Sequence, residues 1–199
     1  MPRKLLLATN NPGKADEYRA LLAGLDFSLV TLHESGITMV VAETGQTMEE
    51  NARLKATIYA AESGMLALAD DSGLEVDALG GEPGHRSARY AGEDASDADR
   101  VKYLLSRLAS VPGESRSARF RCVIAVSTPA GVTSISVGVC EGTIALEARG
   151  SHGFGYDPIF FLPGLGKTMA ELTPEEKDRI SHRAQAARGV PGAIQAVGG

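Results

Sequence analysis

The chain has 199 residues, 43% hydrophobic and 23% charged, so it is long enough to bury a core of ordinary globular type. Its net charge of −5 argues against a protein that neutralises many nucleic-acid phosphates. Its apolar runs fall far short of the ~20 residues of a membrane span, and no cleavable signal is evident, so we expect a cytoplasmic protein with neither nucleic acid nor membrane as its partner.

The first part of the chain alternates strands and helices. Residues 4–8 predict a strand, and apolar residues at helical spacing follow it. Residues 27–32 predict a second strand. Thr47 and Glu50 have the spacing of a capping box and open a second helix. Residues 65–69 then predict a buried strand.

The second part of the chain adds a hairpin. Ser96 and Asp99 open another helix, whose apolar residues form one stripe. Residues 119–127 and 132–140 flank a turn and predict two antiparallel strands. Together with the earlier alternation, this indicates an α/β fold with a mixed sheet. No linker or repeat interrupts the chain, so we expect a single domain over residues 1–199.

The first polar cluster stands between the first strand and the first helix. It is Thr9-Asn10-Asn11-Pro12-Gly13-Lys14. Backbone N–H groups at the start of a helix attract anions, and a lysine adds positive charge. Phosphate is the natural ligand, although Asn-Pro-Gly is also the sequence of an ordinary turn.

The second polar cluster, Asp70-Asp71-Ser72-Gly73, directly follows the predicted buried strand. Adjacent carboxylates repel each other unless a cation or a hydrogen-bond donor intervenes. Mg2+ is one candidate, because it binds one or two carboxylates together with substrate phosphates. A helix or turn cap is the alternative. Glu43 and Lys55 lie between the two clusters in sequence, where each is either part of a site or a surface charge.

The third polar cluster is His152-Gly153-Phe154-Gly155-Tyr156-Asp157-Pro158. Two glycines around an aromatic residue allow close approach to a flat ligand such as a purine. Phe154 is then available to stack on that ligand and Asp157 to accept hydrogen bonds. The alternative is a turn in which Phe154 fills the core.

The fourth polar cluster lies on a helix predicted from Thr173 to about Arg188, where Gly189 and Pro191 end it. It comprises Lys177 and Ser181-His182-Arg183. By composition alone, these charges are expected to face solvent.

Taken together, these segments resemble the non-canonical purine nucleoside triphosphate pyrophosphatases, the inosine/xanthosine triphosphatase (ITPase-like) family. The resemblance spans nearly the whole chain and includes, beyond the four clusters, Glu43-Thr44-Gly45, Glu50-Asn51-Ala52, Lys55-Ala56 and Ser87-Ala88-Arg89-Tyr90-Ala91-Gly92. It implies an elongated two-lobed mixed β-sheet flanked by helices, a nucleotide cleft between the lobes, and a homodimer.

The resemblance also implies roles for individual residues. The triphosphate is bound by the first cluster with Lys55 and Ser72. Mg2+ is held by Glu43 and Asp71, and Asp71 is the catalytic proton acceptor. The base is bound by Phe154, Gly155, Tyr156, Asp157, Lys177, His182 and Arg183.

The implied reaction is hydrolysis between the α and β phosphorus atoms of ITP, dITP or XTP. Hydrogen-bond donors from His182 or Arg183 suit the O6 acceptor of hypoxanthine and xanthine, whereas adenine presents an amino group there. Two alternatives stay open: a Maf-like pyrophosphatase for modified nucleotides, and a nucleotide-binding regulator without turnover. The sequence departs from the family pattern at His85-Arg86 and at the break between Gly189 and Pro191.

Overall fold

The computed structural model describes residues 3–198 and contains a mixed sheet with flanking helices. The strands are β1 (Arg3–Leu7), β2 (Phe27–Thr31), β3 (Leu66–Val76), β4 (Ser117–Ser127), β5 (Thr133–Ile144), β6 (Phe160–Leu162) and β7 (Lys167–Thr168). The helices are α1 (Pro12–Leu21), α2 (Met48–Ser63), α3 (Asp97–Arg107), α4 (Pro174–Ile180), α5 (His182–Arg188) and α6 (Val190–Ala196). In the described part of the chain, no helix combines the length and apolar character that crossing a membrane demands.

The strands are ordered β2-β1-β3-β4-β5-β6-β7. β1 pairs in parallel with β2 and β3, whereas β6 pairs antiparallel with β5 and β7. The turn between β4 and β5 closes through a bond from Thr128 N to Val132 O, as the predicted hairpin requires. The predicted mixed α/β sheet is therefore confirmed.

The chain divides into two compact units, which we call unit 1 and unit 2. Unit 1 comprises Met1–Asp71, Cys122–Gly138 and Arg183–Gly199, and unit 2 comprises Ser72–Arg121 and Val139–His182.

Unit 1 buries apolar side chains on both faces of its strands. Along β1, Leu5 and Leu7 belong to one core cluster, which includes residues of α1, α5 and α6. Leu6 belongs to a second cluster, which includes residues of α2. Because successive strand residues point to opposite faces, β1 is apolar at every one of these positions.

Unit 2 has one large apolar cluster. Leu74 and Val76 of β3 meet Val101 and Leu104 of α3 there, together with residues of β4, β5 and β6. The Ser96–Asp99 pair forms the predicted capping box of α3. This cluster includes Tyr156 of the third polar cluster, and Ile180 of α4 packs against it.

The third strand is longer than the sequence predicts. The apolar run predicts a strand that ends near Ala69, yet β3 continues through Asp70, Asp71 and Ser72 to Val76. Both carboxylates are buried. A strand with two buried acids is stable only when other residues supply cations and donors, and these come from distant parts of the chain.

The predicted helix from Thr173 to Arg188 is wrong as a single element. α4 ends where Ser181 adopts an extended conformation, and α5 begins at the next residue. The predicted stop at Gly189 is confirmed, but the chain then forms α6 with Pro191 in its first turn, where proline is tolerated.

Candidate active site

The first polar cluster forms the start of α1, as predicted. Asn11 is the N-cap and its side chain accepts a bond from Lys14 N at 3.1 Å, while Pro12 occupies the first turn. Asn11 N in turn donates to Thr9 Oγ1 at 3.2 Å. Asn10 and Pro12 are exposed, so the loop meets solvent at the positive end of the helix dipole.

Lys14 contacts the acidic pair directly. Its Nζ lies 2.8 Å from Asp70 Oδ2, and the Asp70 side chain is only 1% exposed. Burial alone would raise the pKa of Asp70, but the charges of Lys14, Arg183 and Lys55 outweigh burial and hold this pKa well below its usual range. Asp70 thus stays charged near neutral pH and anchors the lysine of the first polar cluster.

Asp71 has a different environment, because the next residue of a strand points to the opposite face. Its Oδ2 accepts a bond from Asn51 Nδ2 at 3.0 Å. Burial raises the pKa of Asp71 and the charge of Glu43 raises it further, while Lys55 and the Asn51 bond oppose these effects. Two neighbouring carboxyl groups therefore have pKa values shifted in opposite directions, an arrangement typical of sites that assign them different roles.

Lys55 links the acidic residues of unit 1. Its Nζ pairs with Glu43 Oε1 and donates to Asp70 O at 2.7 Å. Burial would lower the pKa of Lys55, but the charges of Asp70, Glu43 and Asp71 raise it. The structure thus brings Lys55 together with Glu43 and the acidic pair, as the sequence predicts.

Glu43 and Asp71 have the chemistry of a magnesium site in which a phosphate-bearing ligand and water supply the remaining ligands. Within residues 3–198, no three His, Cys, Asp or Glu side chains cluster as a protein-only metal cage. Glu43 and Asp71 nevertheless supply two coupled carboxylates, and Mg2+ is commonly bound by one or two carboxylates plus phosphate oxygens and water.

The third polar cluster contains a segment that we call the base loop (residues 154–157), which lies in unit 2. Asp157 is buried, and its Oδ2 accepts bonds from Lys177 Nζ at 2.7 Å and from Phe154 N at 3.1 Å. Lys177 Nζ also lies 4.9 Å from the centroid of the Phe154 ring. The structure thus brings three predicted base-binding residues together.

Gly153 is needed for internal packing rather than for ligand approach. Its φ is +77°, and a Cβ added there would collide with Asp157 Oδ2. Gly155 also has a positive φ, +64°, but open space around it. Close approach of the backbone to a flat ligand therefore stays a prediction for Gly155, while the lack of a side chain at Gly153 is accounted for by its packing against Asp157.

The expectation that the fourth cluster faces solvent is wrong. Lys177, Ser181, His182 and Arg183 are all buried. In unit 2, the His182 ring stacks on Phe120 with 4.8 Å between centroids. Burial of donors and cations next to aromatic and acidic groups indicates that they have specific partners.

Arg183 lies in unit 1, next to Asp70 and Glu17. Its Nη1 contacts Glu17 Oε2 at 2.5 Å and its Nη2 lies 3.7 Å from Asp70 Oδ2. Its guanidinium also lies 5.8 Å from the centroid of the Tyr18 ring. Glu17 and Lys14 are one turn apart on α1, so acidic and basic side chains alternate from Lys14 through Asp70 and Arg183 to Glu17.

Comparison with known proteins decides the family. The model of the Ham1 family matches residues 5–191. The chain belongs to the Ham1 family. A dITP/XTP pyrophosphatase of Geobacillus kaustophilus (strain HTA426) is 50% identical over 184 residues, which cover 92% of this chain and 90% of the relative. A dITP/XTP pyrophosphatase of Methylococcus capsulatus (strain Bath) is 50% identical over 201 aligned positions, with 100% of both chains covered.

A solved structure agrees with this assignment. A HAM1 protein from Coxiella burnetii has a TM-score of 0.88 and 42% identity, with 97% of this chain and 98% of that chain covered. The mixed sheet with flanking helices is thus the fold of a solved Ham1-family protein, as the sequence resemblance implies.

Sequence reasoning misses three site residues of this Ham1-family protein. Asn51 stands in the sequence only as part of a motif, yet it binds Asp71. Glu17 pairs with Arg183, and Asp97 binds the base loop. Ser72, which the sequence does predict, lies half-buried in β3 directly after Asp71. A helical-wheel comparison would place Glu17 one turn from Lys14, whereas no local pattern points to Asp97.

Proposed function

We propose that this protein hydrolyses non-canonical purine nucleoside triphosphates, with dITP, ITP and XTP as substrates, and releases the nucleoside monophosphate and pyrophosphate. The observation that carries the proposal is the contrast between Asp70, held charged against Lys14, and Asp71, whose pKa is raised beside Glu43. The dITP/XTP pyrophosphatases that are 50% identical to this chain support the substrate class.

The triphosphate is bound in this proposal by the start of α1. The partly exposed residues 9–14 and the α1 dipole attract phosphate oxygens. Lys14 and Lys55 neutralise the departing pyrophosphate, and Ser72 adds a hydroxyl from β3. Lys14 is well placed for this role, because Asp70 limits its conformational freedom before substrate arrives.

Mg2+ is held by Glu43 and Asp71 in this proposal. When bound, it neutralises phosphate charge. Lys55 stands beside both carboxylates and balances part of their negative charge. Asn51 fixes the Asp71 carboxylate through its 3.0 Å bond, so the orientation of that group does not depend on substrate.

Asp71 accepts a proton from the attacking water. A carboxylate with a raised pKa is a better proton acceptor than an ordinary one, and burial next to Glu43 produces that shift. Asp70 cannot take this role, because Lys14, Arg183 and Lys55 hold its pKa low.

The base is bound by Phe154, Gly155, Tyr156, Asp157, Lys177, His182 and Arg183. Donors from His182 or Arg183 pair with O6 of hypoxanthine or xanthine. An adenine amino group in the same place leaves donors facing each other, and an unpaired buried group costs about 1–3 kcal/mol.

A substrate panel tests this function. Pyrophosphate release is measured with dITP, XTP, dATP and a modified pyrimidine triphosphate, each with Mg2+ and with EDTA. We expect the turnover of dITP and XTP to be at least tenfold faster than that of dATP, and we expect turnover only when Mg2+ is present. Preference for the modified pyrimidine would favour the Maf-like alternative, and binding without turnover would favour the regulator.

We also propose that the protein is a homodimer, as the family resemblance implies. Light scattering coupled to size exclusion measures the mass directly. A mass near twice that of the 20.8 kDa chain supports the dimer, and a mass of one chain at micromolar concentration contradicts it.

A further inference from the structure

The base loop is attached to α3 by a hydrogen bond. Gly155 N donates to Asp97 Oδ2 at 2.7 Å, and the two residues are 58 positions apart in sequence. Asp97 is the first residue of α3. Gly155 has a φ of +64°, and a Cβ added there would meet nothing within 4 Å, so no neighbouring group packs against its side-chain position. The Asp97 carboxylate accepts the hydrogen bond of the Gly155 N–H and so holds this peptide.

Asp97 is itself held in place by Arg100. The Arg100 guanidinium pairs with Asp97 Oδ1. Its Nη1 also donates to Ala88 O at 2.8 Å and to Ala95 O at 2.6 Å. Because the guanidinium is planar and rigid, these bonds fix its position, and the carboxylate is fixed with it.

A second attachment holds the next residue of the loop. Tyr156 Oη donates to Ser87 O at 2.9 Å in a buried position. Ser87 Oγ accepts from Leu74 N at 2.9 Å and donates to Gly84 O. The Ser87-Ala88 segment, for which the proposed function gives no role, thus contacts the base loop through Tyr156 and contacts Asp97 through Arg100.

We propose that Asp97 is a positioning residue for nucleotide-base recognition, acting through the Gly155 peptide. The inference rests on the proposed function of the base loop. Asp97 is 45% exposed, and an exposed ion pair adds little to folding stability. Its bond to Gly155 N instead fixes loop geometry, on which binding depends steeply. Loss of Asp97 weakens base binding and leaves the proton-transfer group Asp71 unchanged.

The experiment compares three variants in the full chain. Asp97→Ala removes the acceptor, and Asp97→Asn keeps an oxygen that still accepts from Gly155 N but loses the charge that pairs with Arg100. Asp99→Ala is the matched control, because Asp99 lies in the same helical turn and bonds to Ser96 at the cap. Circular dichroism and thermal unfolding check that each variant is folded.

We expect Asp97→Ala to raise KM for dITP about tenfold, with kcat within about twofold of the wild type. For Asp97→Asn, we expect the increase in log KM for dITP to be at least a third smaller than for Asp97→Ala. Asp99→Ala lowers Tm without changing KM. The dissociation constant of dIMP, measured by calorimetry, shifts in the same direction as KM and reports base binding without turnover.

Three results overturn the inference: an unchanged KM in Asp97→Ala, an equal rise of KM in Asp99→Ala, or a fall of kcat at constant KM. If Asp97→Ala does not fold, Asp97→Leu, which also removes the acceptor for Gly155 N, carries the test, and a KM in it equal to that of the wild type counts against the inference. The wild-type arm separates the two proposals, because absence of dITP and XTP turnover there rejects the function itself.

Discussion

Lys14 and the buried Asp70 form an ion pair, with Nζ and Oδ2 2.8 Å apart, that joins the start of α1 to β3. The two residues are 56 positions apart in the sequence, so their contact brings the start of α1 next to Asp70 and Asp71. Asp70 thus positions Lys14, while its neighbour Asp71 is available for the proposed proton transfer.

Asp70→Asn should destabilise unit 1, because it leaves the partly buried Lys14 and the buried Arg183 without their shared carboxylate. Breaking a buried pair by removing one partner costs about 3–5 kcal/mol. Urea unfolding measures the loss. The double variant Lys14→Met with Asp70→Asn is the control and should be less destabilised than the single one. Equal losses of unfolding free energy in the single and double variants would mean that the charges of the pair contribute nothing to stability.

The stability that Asp70 contributes should depend on pH in one direction. Its pKa is lowered on folding, so the contribution is fully present above the unfolded-state pKa near 3.8 and is lost as pH falls below that value. Urea unfolding of the wild type should therefore lose free energy between about pH 4 and pH 2 more steeply than that of Asp70→Asn. Parallel curves for the two proteins would contradict the lowered pKa.

Asp71→Asn should abolish hydrolysis while the protein stays folded. The change keeps the shape of the side chain and removes the charge that accepts a proton and, in our proposal, binds metal. We expect kcat to fall at least a thousandfold, measured as pyrophosphate release from dITP, with an unchanged circular dichroism spectrum. Substantial turnover by a folded Asp71→Asn would reject the proton-acceptor assignment.

Lys14→Ala should weaken binding of all triphosphates alike, because the lysine is placed for phosphate and not for the base. We expect KM to rise about tenfold for both dITP and dATP. The two substrates control for each other, because they carry the same triphosphate and differ only in the base. A loss that differs between the bases would place Lys14 in the base subsite instead.

His182 and Arg183 should discriminate 6-oxo from 6-amino purines. His182→Ala and Arg183→Ala are each expected to reduce the ratio of kcat/KM for ITP over ATP by one to two orders of magnitude, because each removes a hydrogen-bond donor to O6. Arg183→Lys is a control for folding, since it keeps a cation beside Glu17 and Asp70. If both alanine variants lose activity equally on the two substrates, base recognition belongs to the base loop.

The sequence predicts the local parts of this fold well. The change from loop to helix next to Pro12 and the openings of α3 at Ser96 and α4 at Thr173 follow from short patterns, since a cap is made by residues three apart. Alternation of strands and helices also predicts the mixed sheet.

The features that the sequence does not predict depend on distant residues. β3 continues through Asp70 and Asp71 only because Lys14, Asn51 and Lys55 supply charges and donors from elsewhere in the chain. The same limit hides the bond between Asp97 and Gly155, because nothing within either segment signals it.

The most direct test of the proposed activity is identification of the products by 31P nuclear magnetic resonance during turnover of dITP by the wild-type protein with Mg2+. Cleavage between the α and β phosphorus atoms predicts dIMP and pyrophosphate in equal amounts, with no orthophosphate at early times. Accumulation of dIDP and orthophosphate would contradict the proposed activity, because it places the cleavage at the γ phosphorus, and so would the absence of any product.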